Sequence, residues 1–268
     1  MEANLPLNLL LLAGLFGLLL GSFLNVCIYR VPRDVSVVAP RSFCPECGKQ
    51  IRWWDNVPVL SYALLKGRCR NCGLAISARY PLVEMLTAVL FVCTAARYGL
   101  TLSGLKWMIF EAVLVVLFWT DLEERILPDA FTMGGSTAGL LLMFAVPVPG
   151  ALPGLLVPGW QPVWQSVLNV LLANVVLLAP IWGLSVLVTW LRKRESLGLG
   201  DLKLILMIAI YLGLENGVTA LLIGAVTGTI TGVGYIMLTH KKASEYELPF
   251  GSFLCIGAAV VPLVKKLG

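Results

Sequence analysis

The sequence predicts an all-α polytopic membrane protein of about eight transmembrane helices, and three observations carry that expectation. Hydrophobic residues make up 58% of the 268 and charged residues only 13%, against about 25% charged in a typical soluble domain. The apolar residues fall in long blocks rather than in amphipathic periods. The basic residues, finally, are shared out unevenly among the segments that separate those blocks.

The first block covers roughly residues 5–28, enough to cross about 30 Å of hydrocarbon. It reads as a retained helix rather than a signal peptide, because no Lys or Arg precedes it and no small-residue cleavage site follows before Arg30. Further blocks lie at roughly 82–96, 105–120, 130–147, 164–191, 202–214, 218–238 and 250–264. Backbone groups in lipid must be satisfied internally, so these are helices. The 202–214 block is the weakest, and a half-helix is its alternative reading. The 147–162 linker, rich in Pro and Gly and without charge, is expected as an outer loop near the lipid surface. The chain thus divides into a first transmembrane helix (1–28), an insert (29–80) and a membrane domain (81–268).

Placing the amino terminus outside puts 16 of the 20 Lys and Arg on the inner side, among them Arg30 to Arg79, Arg125, Arg192, Lys193, Arg194, Lys203, Lys241 and Lys242. Arg97, Lys106, Lys265 and Lys266 fall outside. The positive-inside rule favours this orientation. It also argues against a nucleic-acid surface, since the cations are spaced out and sit where topology needs them.

The insert is then cytosolic, and it carries the most specific spacing in the chain. Cys44-Pro45-Glu46-Cys47-Gly48 and Cys69-Arg70-Asn71-Cys72-Gly73 are two CxxC knuckles separated by 21 residues. Paired knuckles at this distance suit one tetrahedral site in which Cys44, Cys47, Cys69 and Cys72 hold a structural zinc. An insert of this size with few aliphatics builds little core of its own, so a metal staple is physically reasonable. A redox dithiol or disulfides are the alternatives, and a reducing cytosol disfavours the latter. Four thiolates leave no open position for catalysis. Cys27, Cys93 and Cys255 stand singly in apolar runs and read as packing residues.

Six carboxylates lie in or beside the apolar blocks: Glu84, Glu111, Asp121, Asp129, Asp201 and Glu215. Ionisable groups there are costly and mark function by default. Asp129 follows Pro128 at an expected helix start, where an acid complements the helix dipole, so its reading is structural. Asp121 ends a block, where an anion opposes the dipole. Asp201 opens a block after Gly198 and Gly200; alone it reads as a helix cap. By topology Asp121 and Asp201 share the inner side. Two carboxylates held close cannot both ionise easily, so one keeps a proton. The ionised member can deprotonate water while the protonated one donates to a scissile carbonyl. His240, the only histidine, has no evident catalytic partner and reads as surface.

These residues, with several others, resemble the type IV prepilin peptidase family, also called leader peptidase / N-methyltransferase. The resemblance spans nearly the whole chain. It comprises Gly21-Ser22-Phe23-Leu24-Asn25-Val26 running to Arg30 and Pro32, both knuckles, Tyr80-Pro81-Leu82-Val83-Glu84, Asp121 with Leu127-Pro128-Asp129, Gly198 to Asp201 with Lys203, and Pro249-Phe250-Gly251-Ser252-Phe253. The last motif often has Pro where Ser252 stands.

The resemblance implies a GxGD-type aspartic protease of the bacterial inner membrane, with Asp121 and Asp201 as the catalytic pair. It implies removal of the basic leader of prepilins and pseudopilins after a glycine, on the cytoplasmic side of the substrate's membrane helix. Members with the cysteine insert usually also methylate the new amine with S-adenosylmethionine, so both activities are expected. No glycine-rich methyltransferase turn is present; Asn25 and Arg30, near the insert, are the candidate cofactor contacts, with helix packing and topogenic charge as their alternatives. Glu123, Glu124, Glu245 and Glu247 are candidates to attract the basic leader. A transporter with a zinc-bound regulatory loop would also place carboxylates in the membrane, and another aspartyl membrane protease would not need the insert.

Overall fold

In the computed structural model, residues 5–148, 150–192, 198–239, 248–265 and 267 are described. Lys193, Arg194, His240, Lys241, Lys242, Glu245, Glu247 and Lys266 lie outside them. The described elements are helices: α1 Leu7–Arg30, α2 Leu60–Leu64, α3 Arg79–Tyr98, α4 Leu102–Glu124, α5 Asp129–Ala145, α6 Ala151–Leu156, α7 Pro162–Arg192, α8 Leu199–Thr239 and α9 Phe250–Val264. Five of them, α1, α3, α4, α7 and α8, are long and apolar enough to cross a membrane, and α9 is a shorter apolar helix.

The expected helices at 202–214 and 218–238 are the two halves of α8, which breaks between them at Gly213 with φ 71° and ψ −169°. The half before the break is buried on all sides, with Leu204, Ile205, Met207, Ile208, Ala209, Tyr211 and Leu212 at or near zero exposure. A helix apolar all round belongs in a core, so this short block is a central helix and not a lipid-facing one. α7 is its opposite: only 17% of its apolar window is buried, as suits a helix whose surroundings are lipid.

The chain forms two compact units, residues 1–104 and 105–268. In the first, α1 packs on α3 by backbone approach. A Cβ on Gly21 would lie 2.7 Å from the Glu84 Cα, and small residues let membrane helices come this close.

In the second unit α5, α7 and α9 pack against α8. Phe110 of α4 stacks on Tyr211 of α8 at 4.2 Å and 15°, an offset geometry that adds to burial. The break in α8 strands a backbone donor, and Asn169 of α7 takes it up. Its Oδ1 accepts from the Leu214 N–H at 3.0 Å while its Nδ2 donates to the Val148 carbonyl at 2.9 Å. Lys106, buried at the start of α4, donates to the Val146 carbonyl at 2.9 Å. Glu215 accepts from the Ala151 and Leu152 amides at 2.9 and 3.1 Å, closing the start of α6. Glu215 thus serves a helix end.

Replacing Asn169 by Ala leaves two buried backbone groups unpaired, at about 1–3 kcal/mol each. The expected outcome is a clear fall in melting temperature in detergent. Asn174→Ala, on the same helix, removes only a bond to its own Val170 carbonyl and is the mild control. Equal melting of the two variants would refute the role of Asn169.

Candidate active site

Asp121 lies in the last turn of α4, where the helix is closed by Arg125 at φ 57°. The Arg125 amide donates to the Asp121 carbonyl at 3.0 Å. The dipole of α4 opposes an anion here, but a second helix reverses the balance. The Asp121 Oδ2 accepts from the Ser252 amide at 2.6 Å and from the Ser252 hydroxyl at 2.8 Å. Ser252 is in the first turn of α9, so the carboxylate of Asp121 caps the positive end of that helix. The acid is buried, at 6% exposure, and these donors satisfy the oxygen that faces inward.

Asp201 is half-buried and sits in the first turn of α8. Its amide donates to the Gly198 carbonyl at 3.1 Å. The helix therefore starts at Leu199, and Asp201 is a first-turn residue whose side chain is free of the capping duty the sequence suggested. Both aspartates thus stand at the positive ends of helices.

Eighty positions of sequence separate them, and Leu127 closes the gap. Its Cβ lies 3.1 Å from where a Cβ on Gly200 would stand, and its Cδ1 lies 3.0 Å from the same position on Gly251. A Cβ on Gly251 would also meet the Asp121 Cγ at 3.1 Å. The side chain of Leu127 is thus wedged between the residue before Asp201 and the residue that covers Asp121. The two carboxylates are close enough for their charges to interact. The fully buried Cys255 of α9 lies within the field of both. Asp129 opens α5, and Lys203 grips it through both oxygens, at 2.6 and 2.8 Å. This exposed pair adds little energy, but it fixes the start of α5 to the first turn of α8.

The first unit holds the four cysteines. Their sulfurs all lie within 4.8 Å of one another, with Cys44 and Cys72 at 4.0 Å. Four sulfurs at about 2.3 Å from a tetrahedral zinc stand about 3.8 Å apart, so the donor set fits that ion. The knuckles are built alike. In each, the glycine has positive φ, 67° at Gly48 and 73° at Gly73, which glycine tolerates without strain. Gly48 donates to the Cys44 carbonyl and Gly73 to the Cys69 carbonyl, each at 2.9 Å. One bridge flanks each turn, Phe43 with Gln50 and Arg68 with Ala75. The amides of Cys72 and Asn71 point at the Cys69 sulfur and bring its thiol down to about 7. Arg70, inside the second knuckle, clamps Asp55 bidentately at 2.7 and 2.9 Å, which holds the Asp55 carboxyl below its ordinary value.

Asn25 and Arg30 both have protein partners. Arg30 is buried at the end of α1 and donates to the carbonyls of Ser36 and Pro40, each at 2.8 Å. It also stacks on Phe43, beside the first knuckle. Asn25 faces α3 and donates to the Tyr80 carbonyl at 3.0 Å; its Oδ1 is buried and accepts nothing among the described residues. Glu84 accepts from the Val59 amide at 2.7 Å, which ties α3 to the insert. Between α1 and the insert lies a cavity of about 390 Å³, walled by Ser22, Arg30, Arg41, Trp53 and Asn56 among others.

Ser252 was legible in the sequence only as a departure from a motif, and Leu127 only as the companion of Asp129. Nothing in the local pattern announces that either touches an aspartate's surroundings. The signal that would have found Ser252 is its place three residues after Pro249, where a helix start offers a free amide and a hydroxyl.

Comparison with known proteins accords with these two units. Residues 15–98 match the model of the Bacterial Peptidase A24 N-terminal domain, and residues 108–233 match that of the Type IV leader peptidase family. A prepilin leader peptidase/N-methyltransferase of Aeromonas salmonicida (strain A449) is 33% identical over 285 residues, covering 97% of this chain and 92% of the relative. Proteins of the same name from Legionella pneumophila and Neisseria gonorrhoeae are 30% and 32% identical, covering 96% and 93% of this chain and 92% and 88% of theirs. No solved structure matches. With such identity over nearly its full length, the chain belongs to the type IV leader peptidase family.

Proposed function

We propose that this protein is a membrane aspartic endopeptidase that removes the leader of type IV prepilins or pseudopilins and then N-methylates the exposed amine. The observation that carries the proteolytic part is that Leu127 packs on both Gly200, the neighbour of Asp201, and Gly251, which covers Asp121, with both acids at positive helix ends. One carboxylate, ionised, takes a proton from a water that attacks the scissile carbonyl and passes it on to the leaving amine; the other, protonated, donates to the carbonyl oxygen and recovers that proton as the carbonyl re-forms. The pair titrates as one unit. In this reading α5, α9 and the two halves of α8 join α1, α3, α4 and α7 as eight spans. The amino terminus lies outside, and the aspartates face the cytoplasm of a bacterial inner membrane, where a substrate's basic leader would emerge.

A zinc held by Cys44, Cys47, Cys69 and Cys72 would be structural, because its four thiolate positions are filled. For methyl transfer, S-adenosylmethionine supplies an electrophilic methyl group. The cavity beside α1 has the size of a small-molecule site. The face of Trp53 suits an adenine or a sulfonium, and Arg41 suits a carboxylate. Arg30, engaged by backbone carbonyls, shapes this wall, and Asn25 sets the packing of α1 on α3.

Asp121→Asn and Asp201→Asn are each expected to lower leader cleavage at least a hundredfold, measured on purified protein with a prepilin, while both variants stay folded. Substantial cleavage by either would refute the pair. Cys44→Ser should lose most of its zinc by elemental analysis; an undiminished content would remove Cys44 from the ligands. Trp53→Ala should weaken S-adenosylhomocysteine binding by about tenfold in calorimetry, the scale of one lost stacking contact, and unchanged affinity would move the donor site elsewhere.

A further inference from the structure

We propose that Ser252 is a positioning residue whose hydroxyl turns between two acceptors as Asp121 loses and gains its proton. The inference rests on the assignment of Asp121 to the catalytic pair. Ser252 Oγ lies 2.8 Å from the Asp121 Oδ2 and 3.0 Å from the Phe118 carbonyl oxygen. A hydroxyl has one proton and two lone pairs, so it cannot donate to both at once. Ser252 is almost wholly buried, at 1% exposure, so water does not supply the missing partner. Two arrangements keep all these atoms paired. With Asp121 ionised, the hydroxyl donates to Oδ2. With the proton on Oδ1, Oδ2 becomes a neutral carbonyl oxygen that keeps the amide bond, and the hydroxyl is released to turn to the Phe118 carbonyl. The Ser252 amide, 2.6 Å from Oδ2, donates in both and anchors the carboxyl throughout.

The proton balance is simple. The proton that Asp121 gains comes from the attacking water and leaves with the departing amine. Ser252 keeps one proton at every stage and only rotates. No bond to carbon or sulfur changes at the serine. The effect is geometric as well. Oδ2 is held by two donors from α9, whereas no donor among the described residues reaches Oδ1. Oδ1 is therefore the oxygen left to face water or substrate, and its direction is set by the first turn of α9.

A proline at this position would have neither an N–H nor a hydroxyl. Members of the family with proline there must orient the equivalent acid without these two bonds. This chain uses a serine, and its variants can separate the two contributions. Ser252→Ala removes the hydroxyl and keeps the amide. Ser252→Thr keeps both. Ser252→Pro removes both.

The experiment measures cleavage of a prepilin by the full-length purified enzyme across pH, for the native protein and these three variants, with Asp121→Asn alongside. Ser252→Ala is expected to lower kcat by about tenfold, the scale of one hydrogen bond to a charged group, to leave KM within about twofold, and to displace the pH dependence of kcat. Ser252→Thr should restore both the rate and the profile, and Ser252→Pro should lose more than Ala. Methylation of a pre-cleaved peptide, measured in the same preparations, should be unchanged in Ser252→Ala and reports intact folding. A native rate and pH profile in Ser252→Ala, with Asp121→Asn inactive, would overturn the role of Ser252 and leave the catalytic pair standing. A rate loss in Ser252→Ala that threonine does not restore would reduce the serine to packing and overturn the proposal. An active Asp121→Asn would overturn both.

Discussion

A buried carboxylate at the end of one helix is stabilised by the beginning of another. The two bonds from Ser252 to the Asp121 Oδ2 join positions 131 residues apart, and the arrangement of this end of the second unit follows from them. Gly251 must lie against the Asp121 carboxyl for the Ser252 amide to reach it, and the bare Gly251 surface then admits Leu127. Leu127 in turn packs on Gly200, the residue before Asp201. Lys203 and Asp129 close the ring by joining α8 to α5. Each contact uses a residue without a side chain or at a helix end, where backbone donors are unspent. That is why glycines, prolines and acids crowd this edge, and why an aliphatic side chain can seat against two glycines there.

Much of this was legible in the sequence, for physical reasons. The helices show because lipid demands long apolar blocks, and the cysteine centre shows because a single metal needs two tight turns at a fixed spacing. The aspartates show because charge beside such blocks is costly. What the sequence hid were the partners. Arg30 reads as a candidate cofactor contact or as topogenic charge, and its hold on the carbonyls of residues 36 and 40 shows in neither reading. Glu84 shows only as a costly acid beside an apolar block, and it receives the Val59 amide. Lys203 looks like ordinary inner-side charge, yet it has its own carboxylate. The last two pairings link distant segments and the first reaches round a turn, and local patterns carry no record of them. The surroundings of each span were hidden in a similar way. Block length cannot tell a helix in lipid from one enclosed by other helices, and the first half of α8 is enclosed.

The far end of the second unit shows what unreactive polar groups do in a membrane. Asn169, Lys106 and Glu215 each satisfy backbone atoms that a broken or ending helix leaves exposed. Their cost of burial is offset by groups that would otherwise be orphaned. The aspartate edge differs, because there an oxygen of a buried acid receives no donor among the described residues.

The two knuckles of the insert have a further consequence in polymer terms. Each turn is closed by its own backbone bonds, so the conformational entropy that remains is that of the chain between Cys47 and Cys69. Holding together the ends of a flexible segment of this length costs about 3 kcal/mol. The segment is not flexible, however. The Asp55–Arg70 clamp and the Val59–Glu84 bond pin it at two points along its course, so the thiols meet across a tethered chain. Trp53, Asn56 and Pro58 of the same segment line the cavity beside α1, so the chain whose tethering eases the gathering of four sulfurs is also part of a pocket wall.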